Sequence, residues 1–186
     1  AIVSGLVRAA KINESIHFLL HGKSELLKKL VNKRRSLVGR VTIVDSREVI
    51  KMEDKPSHVV RRGKATSMWS AIDSVRDGKA SVCVSCGNTG ALMAISMLRL
   101  RKLTGVNRPA IAILWPSSNP MGFNVMLDVG ADIRAEAKDL LQYALMGVSY
   151  ARNGLGIPKP RVGLLNVGTE EHKGRSELKE AFSKIE

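Results

Sequence analysis

Apolar residues recur along the chain with two spacings, and the alternation between them predicts alternating helices and strands. Within 66–76, Met68, Ala71, Ile72 and Val75 follow the i, i+3, i+4, i+7 spacing of one helix face. Short runs rich in valine and isoleucine, such as 41–45, have the length and β-branched content of strands. We predict helices over 2–10, 23–35, 66–76, 91–103, 136–152 and 176–186, and strands over 16–20, 41–45, 80–84, 110–115, 123–128 and 161–167.

This order of elements is typical of an α/β protein with a mainly parallel sheet and helices on both faces. The strands over 110–115 and 123–128 are the exception, because the seven residues between them are too few for a crossover and predict antiparallel neighbours. The polar, proline-containing stretch 46–64 is predicted to be a loop. We expect residues 1–186 to be part of a single α/β enzyme domain that is truncated at both ends, since the chain starts without methionine and ends within a predicted helix.

Composition limits the classes of function. With 44% hydrophobic residues and a mean hydropathy of −0.03, the chain has a globular composition, and no run reaches the ~18 apolar residues that span a bilayer. No signal peptide is seen at the start of the sequence. The net charge of +13 predicts an acidic partner. Only 4% of the residues are aromatic and no nucleic-acid module is recognisable, so we expect no nucleic-acid partner.

Cys83 and Cys86 form a Cys-x-x-Cys pair, which suggests zinc binding or redox chemistry. No second cysteine pair or suitable histidine pair completes a tetrahedral zinc site, so we predict no metal. A redox pair would lie at a helix N-terminus, and Cys86 is close to one, so this alternative stays open. We favour two chemically inert small side chains in a reducing cytoplasm.

Two glycine-containing loops lie where strands of the predicted sheet end, which is the edge at which α/β proteins bind ligands. At 85–90 a Ser-Cys-Gly-Asn-Thr-Gly loop leads into a helix, whose first backbone N–H groups and dipole suit an anion. The loop at 168–174 places Lys173 just before another helix. Spacing alone indicates only a phosphate or oxyanion site, since neither a P-loop nor a dinucleotide fingerprint is present.

Five blocks of the sequence carry a resemblance to a known family. They are Ser-x-Gly-Asn-Thr-Gly-Ala-Leu-Met at 85–93, Arg-Pro-Ala at 108–110, Leu-Asp-Val-Gly-Ala at 127–131, Leu-Gln-Tyr-Ala-Leu-Met-Gly at 141–147 and Pro-Arg-Val-Gly-Leu-Leu-Asn-Val-Gly-Thr-Glu at 160–170. In order and spacing they resemble the bacterial phosphate acyltransferase family of phospholipid synthesis, the PlsX family. Residues 1–78 match more loosely, through Arg61 and Arg62. The resemblance implies that the chain is about half of a family member, without its two ends.

The resemblance also implies an activity in lipid biosynthesis and fatty acid metabolism. Inorganic phosphate would attack the thioester of a fatty acyl chain on acyl carrier protein, which gives acyl phosphate and the free carrier. The implied fold is α/β and isocitrate/isopropylmalate-dehydrogenase-like. The implied protein is a cytoplasmic homodimer with no metal or other cofactor, associated peripherally with the inner face of the membrane.

On the matching positions, Lys173 is the first catalytic candidate. We expect Asn88 and Thr89 to orient the reacting groups as hydrogen-bond donors. An oriented phosphate is already a nucleophile, so no Ser-His-Asp triad is required, and none is visible. The residues expected to hold phosphate are Ser85, Gly87, Gly90, Gly168 and Thr169.

Each candidate also has a purely structural interpretation. From the residues alone, Gly87, Asn88 and Gly90 are best explained as turn residues, whereas the resemblance favours a functional loop. Lys173 could equally be a solvated charge, and Asp128 could equally cap a turn or contact the substrate. His172 is a weaker candidate for the proton donor to the leaving thiolate. The basic stretch 23–35 is either a solvated face or a surface for an acidic carrier protein, with anionic lipid as the second alternative.

Two other functions stay open. A dehydrogenase-like enzyme acting on a phosphorylated or carboxylated metabolite would need a nicotinamide site or a metal, and no paired aspartate cluster is seen. A non-catalytic basic module that binds nucleic acid would lose affinity steeply with salt. We favour the acyltransferase because it alone explains the five blocks.

Overall fold

The computed structural model describes residues 2–129, 135–166 and 174–186. The chain divides into two compact units, Ala1–Arg101 and Lys102–Glu186. Helices and strands occur in both units, so the predicted α/β class is confirmed. Within the described ranges, no helix is long and apolar enough to cross a membrane.

The first unit is built on a pair of parallel strands. β1 (Phe18–Gly22) pairs with β2 (Val41–Asp45) from Phe18 opposite Val41 to Gly22 opposite Asp45. The prediction for β2 is confirmed. β1 begins and ends two residues later than predicted, since its pairing with β2 runs from Phe18 to Gly22. The helices of this unit are α1 (Ile2–Ile12), α2 (Ser24–Val31), α3 (Pro56–Arg62), α4 (Ser67–Arg76) and α5 (Thr89–Arg99).

Two clusters of buried side chains stabilise the first unit. One joins α1 and α2 to the sheet through Ala10, Val31 and Leu37. Because Leu37 is fully buried in a short 3-10 turn, α2 ends at Val31 and not at the predicted residue 35. The other cluster joins the segment after β2 to α3, α4 and α5, and its buried members are Ile50, Val59, Met68, Trp69, Ile72, Ala91 and Ile95. This second cluster positions the start of α5.

β1 and α4 meet at His21. Its Nδ1 lies 2.9 Å from the Ser70 hydroxyl and its Nε2 lies 3.4 Å from the Ser74 hydroxyl. Burial lowers the pKa of His21, because a charged ring is poorly solvated there. A neutral imidazole has one donor and one acceptor, and a serine hydroxyl can complement either. An uncharged ring therefore ties the sheet to α4.

In its described residues, the second unit combines an antiparallel strand pair with two helices. β3 (Ala112–Pro116) pairs with β4 (Phe123–Leu127), and the predicted antiparallel arrangement is confirmed. α6 (Ala137–Leu155) begins with a capping box and ends at Gly156, whose φ of +68° is left-handed and favours glycine. The last helix is α7 (Ser176–Ile185).

The predicted loop at 46–64 is wrong, because it contains α3. Pro56 occupies the first turn of this helix, where its missing N–H is not needed. Val59 is the one side chain that α3 buries, at 6% exposure. One buried residue produces no periodic pattern of apolar positions, so the spacing of apolar residues did not predict this helix.

The strands predicted over 80–84 and 161–167 are also wrong as far as they are described, since no strand forms at 80–84 or 161–166. Val82 and Val84 are 73% and 86% exposed, and Leu165 is 75% exposed. A strand needs a hydrogen-bonded neighbour, which β-branched residues favour but do not supply. The described ranges hold two two-stranded sheets, one parallel and one antiparallel, in place of the predicted mainly parallel sheet.

Candidate functional site

The start of α5 is organised by one buried side chain, that of Asn88. Its Oδ1 accepts a hydrogen bond from the backbone N–H of Ala91 at 2.9 Å, which caps the helix. Its Nδ2 donates to the carbonyls of Lys51, Met52 and Asp54 at 3.2, 2.9 and 2.9 Å. Asn88 therefore holds the segment after β2 against the helix start.

Two glycines allow the chain to pack closely around this point. A Cβ at Gly90 would lie 2.9 Å from Pro56 Cγ, so α5 could not approach the start of α3 with any other residue there unless something shifted. A Cβ at Gly87 would lie 3.1 Å from Met68 Cε. Space, and not a left-handed φ, is what favours glycine at both positions.

The backbone N–H groups of Thr89 and Gly90 stay available at this helix start. The next N–H, that of Ala91, donates to Asn88. In the described part of the chain, the N–H groups of Thr89 and Gly90 form no hydrogen bond. Thr89 is exposed, and Ser85 Oγ accepts from the N–H of Gly87 at 3.2 Å. Two adjacent donors, a hydroxyl and the positive end of the helix dipole suit an oxyanion.

A cavity of about 380 Å³ adjoins the segment that Asn88 holds. Asp54 belongs both to this segment and to the cavity lining, because its carbonyl accepts a hydrogen bond from Asn88 and the residue lines the cavity. The exposed side chains of His58, Arg61 and Arg62 line one part of the cavity, and Glu48 is also exposed there. Sequence reasoning missed this cavity because α3, which carries the three basic residues, was predicted to be loop.

The structure thus brings five of the eight predicted site residues together: Ser85, Gly87, Asn88, Thr89 and Gly90. It also changes the role expected for Asn88, since the hydrogens of its amide are already donated to carbonyls of the chain. We describe Asn88 as a positioning residue. Its predicted direct contact with the reacting groups stays a prediction.

The other three predicted site residues, Gly168, Thr169 and Lys173, lie outside the described residues, as does His172. The described residues on either side of this segment are in contact. Gly174 has a φ of +93°, and a Cβ there would overlap the side chain of Asn166. Asp128, predicted from the sequence as a turn cap or a substrate contact, directly follows β4 and has a left-handed φ of 61°.

The surroundings of the cysteine pair add no further metal ligand within the described ranges. Both thiols are free, and no group of three or more histidine, cysteine or acidic residues could hold a metal ion there. Burial raises the pKa of the Cys83 thiol, which disfavours the reactive thiolate. These observations support the interpretation of Cys83 as an inert side chain.

Comparison with known proteins identifies the family. The family model described as "Fatty acid synthesis protein" matches residues 1–186. The chain belongs to this family. It is similar to a protein named phosphate acyltransferase from Ruegeria sp. (strain TM1040), with 70% identity over 184 residues that cover 99% of this chain and 49% of the relative.

Other relatives carry the same name. Identity to the phosphate acyltransferase of Roseobacter denitrificans is 67% over 185 residues, which cover 100% of this chain and 52% of the relative. For Dinoroseobacter shibae the identity is 69%, with 100% of this chain and 48% of the relative covered. The chain spans about half the length of the curated relatives that it matches.

Proposed function

We propose that the protein is an acyltransferase that converts fatty acyl-[acyl carrier protein] and inorganic phosphate to acyl phosphate and free carrier protein, in phospholipid synthesis. The observation that carries the proposal is the 70% identity, over 99% of this chain, to a protein named phosphate acyltransferase. The open helix start at Thr89 and Gly90 supports it with chemistry suited to phosphate or to the oxyanion of a thioester addition. No observation favours the metabolite enzyme or the nucleic-acid module.

The proposed reaction balances without a covalent enzyme intermediate. A phosphate oxygen attacks the thioester carbonyl, a C–O bond forms, and the C–S bond breaks as the carrier leaves as a thiolate that takes up a proton. Backbone N–H groups at a helix start stabilise the oxyanion of the tetrahedral intermediate. Because phosphate is the nucleophile, the main task of the protein is to orient it.

The residues have separate roles in this mechanism. Thr89 and Gly90 would donate backbone N–H groups to phosphate or to the oxyanion, and Ser85 and Gly87 complete the turn beside them. Lys173 would supply a cation to phosphate, with Gly168 and Thr169 on the same segment. Asn88 would hold the helix start in place.

Further properties belong to the same proposal. They are a dehydrogenase-like fold for the whole protein, a homodimer, a cytoplasmic location with peripheral attachment to the membrane, and chemistry that needs no metal. They rest on family membership and on the resemblance of the five sequence blocks.

The experiment is phosphorolysis by the full-length protein. Acyl phosphate formed from an acyl-carrier thioester is measured against phosphate concentration for wild type, Lys173→Ala and Lys159→Ala. Lys159 is an exposed lysine without an ion pair in the described ranges, so its loss controls for a change of charge. We expect kcat/KM for phosphate to fall about 100-fold in Lys173→Ala and to stay unchanged in Lys159→Ala.

Two outcomes would contradict different parts of the proposal. Equal activity of wild type and Lys173→Ala would assign Lys173 to the solvated surface and leave the reaction intact. Absence of acyl phosphate with a folded wild-type protein would refute the acyltransferase function itself.

A further inference from the structure

Helix α2 presents more apolar surface than the core uses. Val31 is buried and Leu27 packs toward the sheet, where its Cδ1 would lie 3.3 Å from a Cβ at Gly22. Leu26 and Leu30, which follow each other by one turn on the neighbouring face, are 57% and 41% exposed. Single exposed leucines are common, but two in line on one helix face form a continuous apolar strip.

Cations surround this strip. Residues 23–35 contain six lysines and arginines and one acid, Glu25, which pairs with Lys28 at 3.5 Å. Within the described ranges, no ion pair is formed by the other five cations. We call the strip, together with the cations of 23–34 that form no ion pair in the described ranges, the α2 patch: Lys23, Leu26, Lys29, Leu30, Lys33 and Arg34.

An apolar strip surrounded by polar, solvent-accessible side chains has the layout of a protein interface. The uncompensated positive charge selects an acidic partner and raises its rate of encounter. An anionic membrane would attract the same charge, but α2 has only eight residues and two exposed leucines, which is little apolar area for a stable interfacial helix. The observations therefore favour an acidic protein whose surface carries a matching apolar strip.

The α2 patch begins at the carboxyl end of the parallel strand pair β1–β2. Lys23 follows the last residue of β1, and the backbone N–H of Ser24 donates to Asp45 Oδ1 at 3.0 Å at the end of β2. The chain then runs from Asp45 to Lys51, Met52 and Asp54, whose carbonyls accept hydrogen bonds from Asn88. A partner bound on α2 would therefore contact the same unit of the protein that carries the candidate site.

We infer that the α2 patch is the docking surface for the acidic carrier protein that delivers the acyl thioester. This inference rests on the proposed function, because it assigns a surface to the partner that the reaction requires. Its occupant is the carrier protein itself, and not the acyl chain or phosphate.

The test compares carrier-bound and small thioesters with the full-length protein. The variant Lys29→Glu/Lys33→Glu reverses two charges of the patch. The control Arg8→Glu/Lys11→Glu makes the same change on exposed residues of α1. KM is measured for the acyl-carrier thioester, for an acyl thioester of N-acetylcysteamine and for phosphate, and the affinity for labelled carrier protein is measured by fluorescence anisotropy.

We expect the patch variant to raise KM for the carrier thioester, and the Kd for the carrier, by about tenfold or more at low salt. KM for the small thioester and for phosphate should stay within about twofold of wild type, since a docking surface touches neither. A second variant, Leu26→Ser/Leu30→Ser, should raise the Kd for the carrier with little change in its salt dependence. The α1 control should match wild type in all these measurements.

Three outcomes would overturn the inference. One is an unchanged Kd for the carrier in both patch variants. Another is an equal rise of the KM for the carrier thioester and of the Kd for the carrier in the α1 control, which would show an effect of net charge alone. The third is loss of binding to phosphatidylglycerol vesicles by the patch variants with unchanged carrier affinity, which would assign the patch to the membrane. If wild type forms acyl phosphate from neither thioester, the proposed function fails, and the anisotropy measurement still decides the docking surface.

Discussion

Replacing Asn88 separates its two structural tasks. Asn88→Ala removes both the cap of α5 and the anchor of the segment after β2. Asn88→Ser keeps a hydroxyl that can cap a helix but cannot reach the three carbonyls. Thr89→Ala is the control, because Thr89 is the exposed neighbour and does not cap the helix.

The expected cost follows from the hydrogen bonds. Loss of an N-cap costs about 1 kcal/mol of unfolding free energy. The two amide hydrogens of Asn88 contribute about 1 kcal/mol each in net terms. Lys51 and Met52 are exposed, so water can reach their carbonyls after the loss and no larger desolvation penalty applies. Asn88→Ala should therefore cost about 3 kcal/mol and Asn88→Ser about 2 kcal/mol, with Thr89→Ala within about 0.5 kcal/mol of wild type.

The assay is urea unfolding followed by the fluorescence of Trp69, which lies in the same core cluster as Ala91. Residues 1–186 contain two tryptophans, so in a protein of these residues a Trp115→Phe background leaves Trp69 as the reporter of the first unit. Against a typical total of 5–15 kcal/mol, a loss of 2–3 kcal/mol is easily resolved. An Asn88→Ser midpoint equal to that of wild type would refute the anchoring role of the amide.

Three further predictions concern single side chains. Because the folded-state pKa of His21 is below its unfolded value, its contribution to stability is present above about pH 6.5 and is lost as the pH falls toward the folded pKa, so His21→Gln should flatten this part of the stability–pH curve. Gly90→Ala should cost about 1–3 kcal/mol by overpacking, whereas Gly5→Ala, with open space around it in α1, should stabilise by up to about 1 kcal/mol. Iodoacetamide should alkylate exposed Cys86 about tenfold faster than Cys83, as read by peptide mass spectrometry.

Each of these predictions has a clear contrary result. An unchanged stability slope between pH 5 and pH 7 in His21→Gln would show that another group carries the pH dependence. Equal melting temperatures of the Gly90→Ala and Gly5→Ala variants would show that α5 and α3 tolerate a methyl group between them. Equal alkylation of the two thiols would remove the evidence that Cys83 is protected.

Much of the fold could be predicted from local patterns. β2, α4, α6 and the antiparallel pair β3–β4 all lie where spacing placed them, because each combines a clear apolar period with a turn or a cap. α3 could not be predicted, since its one buried residue, Val59, is fixed by tertiary contacts. Of the strands predicted at 80–84 and 161–167, the described residues form none, because a strand needs a hydrogen-bonded neighbour and such pairing is not a local property of the sequence.

The candidate site was likewise predicted where it depends on local sequence and missed where it depends on tertiary contacts. The loop at 85–90 was identified from its glycines and its place before a helix. The task of Asn88 was not, because its amide bonds carbonyls more than 30 residues away in sequence, and no local pattern records such a contact. The cavity beside α3 was missed with the helix that lines it.

The most direct test of the central claim is the fate of labelled phosphate. The full-length protein is incubated with an acyl-carrier thioester and phosphate in which every oxygen is ¹⁸O, and the product is examined by mass spectrometry. If phosphate is the nucleophile, the acyl phosphate retains all of the labelled oxygens and its carbonyl oxygen is unlabelled. Release of unlabelled fatty acid without acyl phosphate would instead show that water attacks the thioester, and the proposed phosphate site at the start of α5 would be wrong.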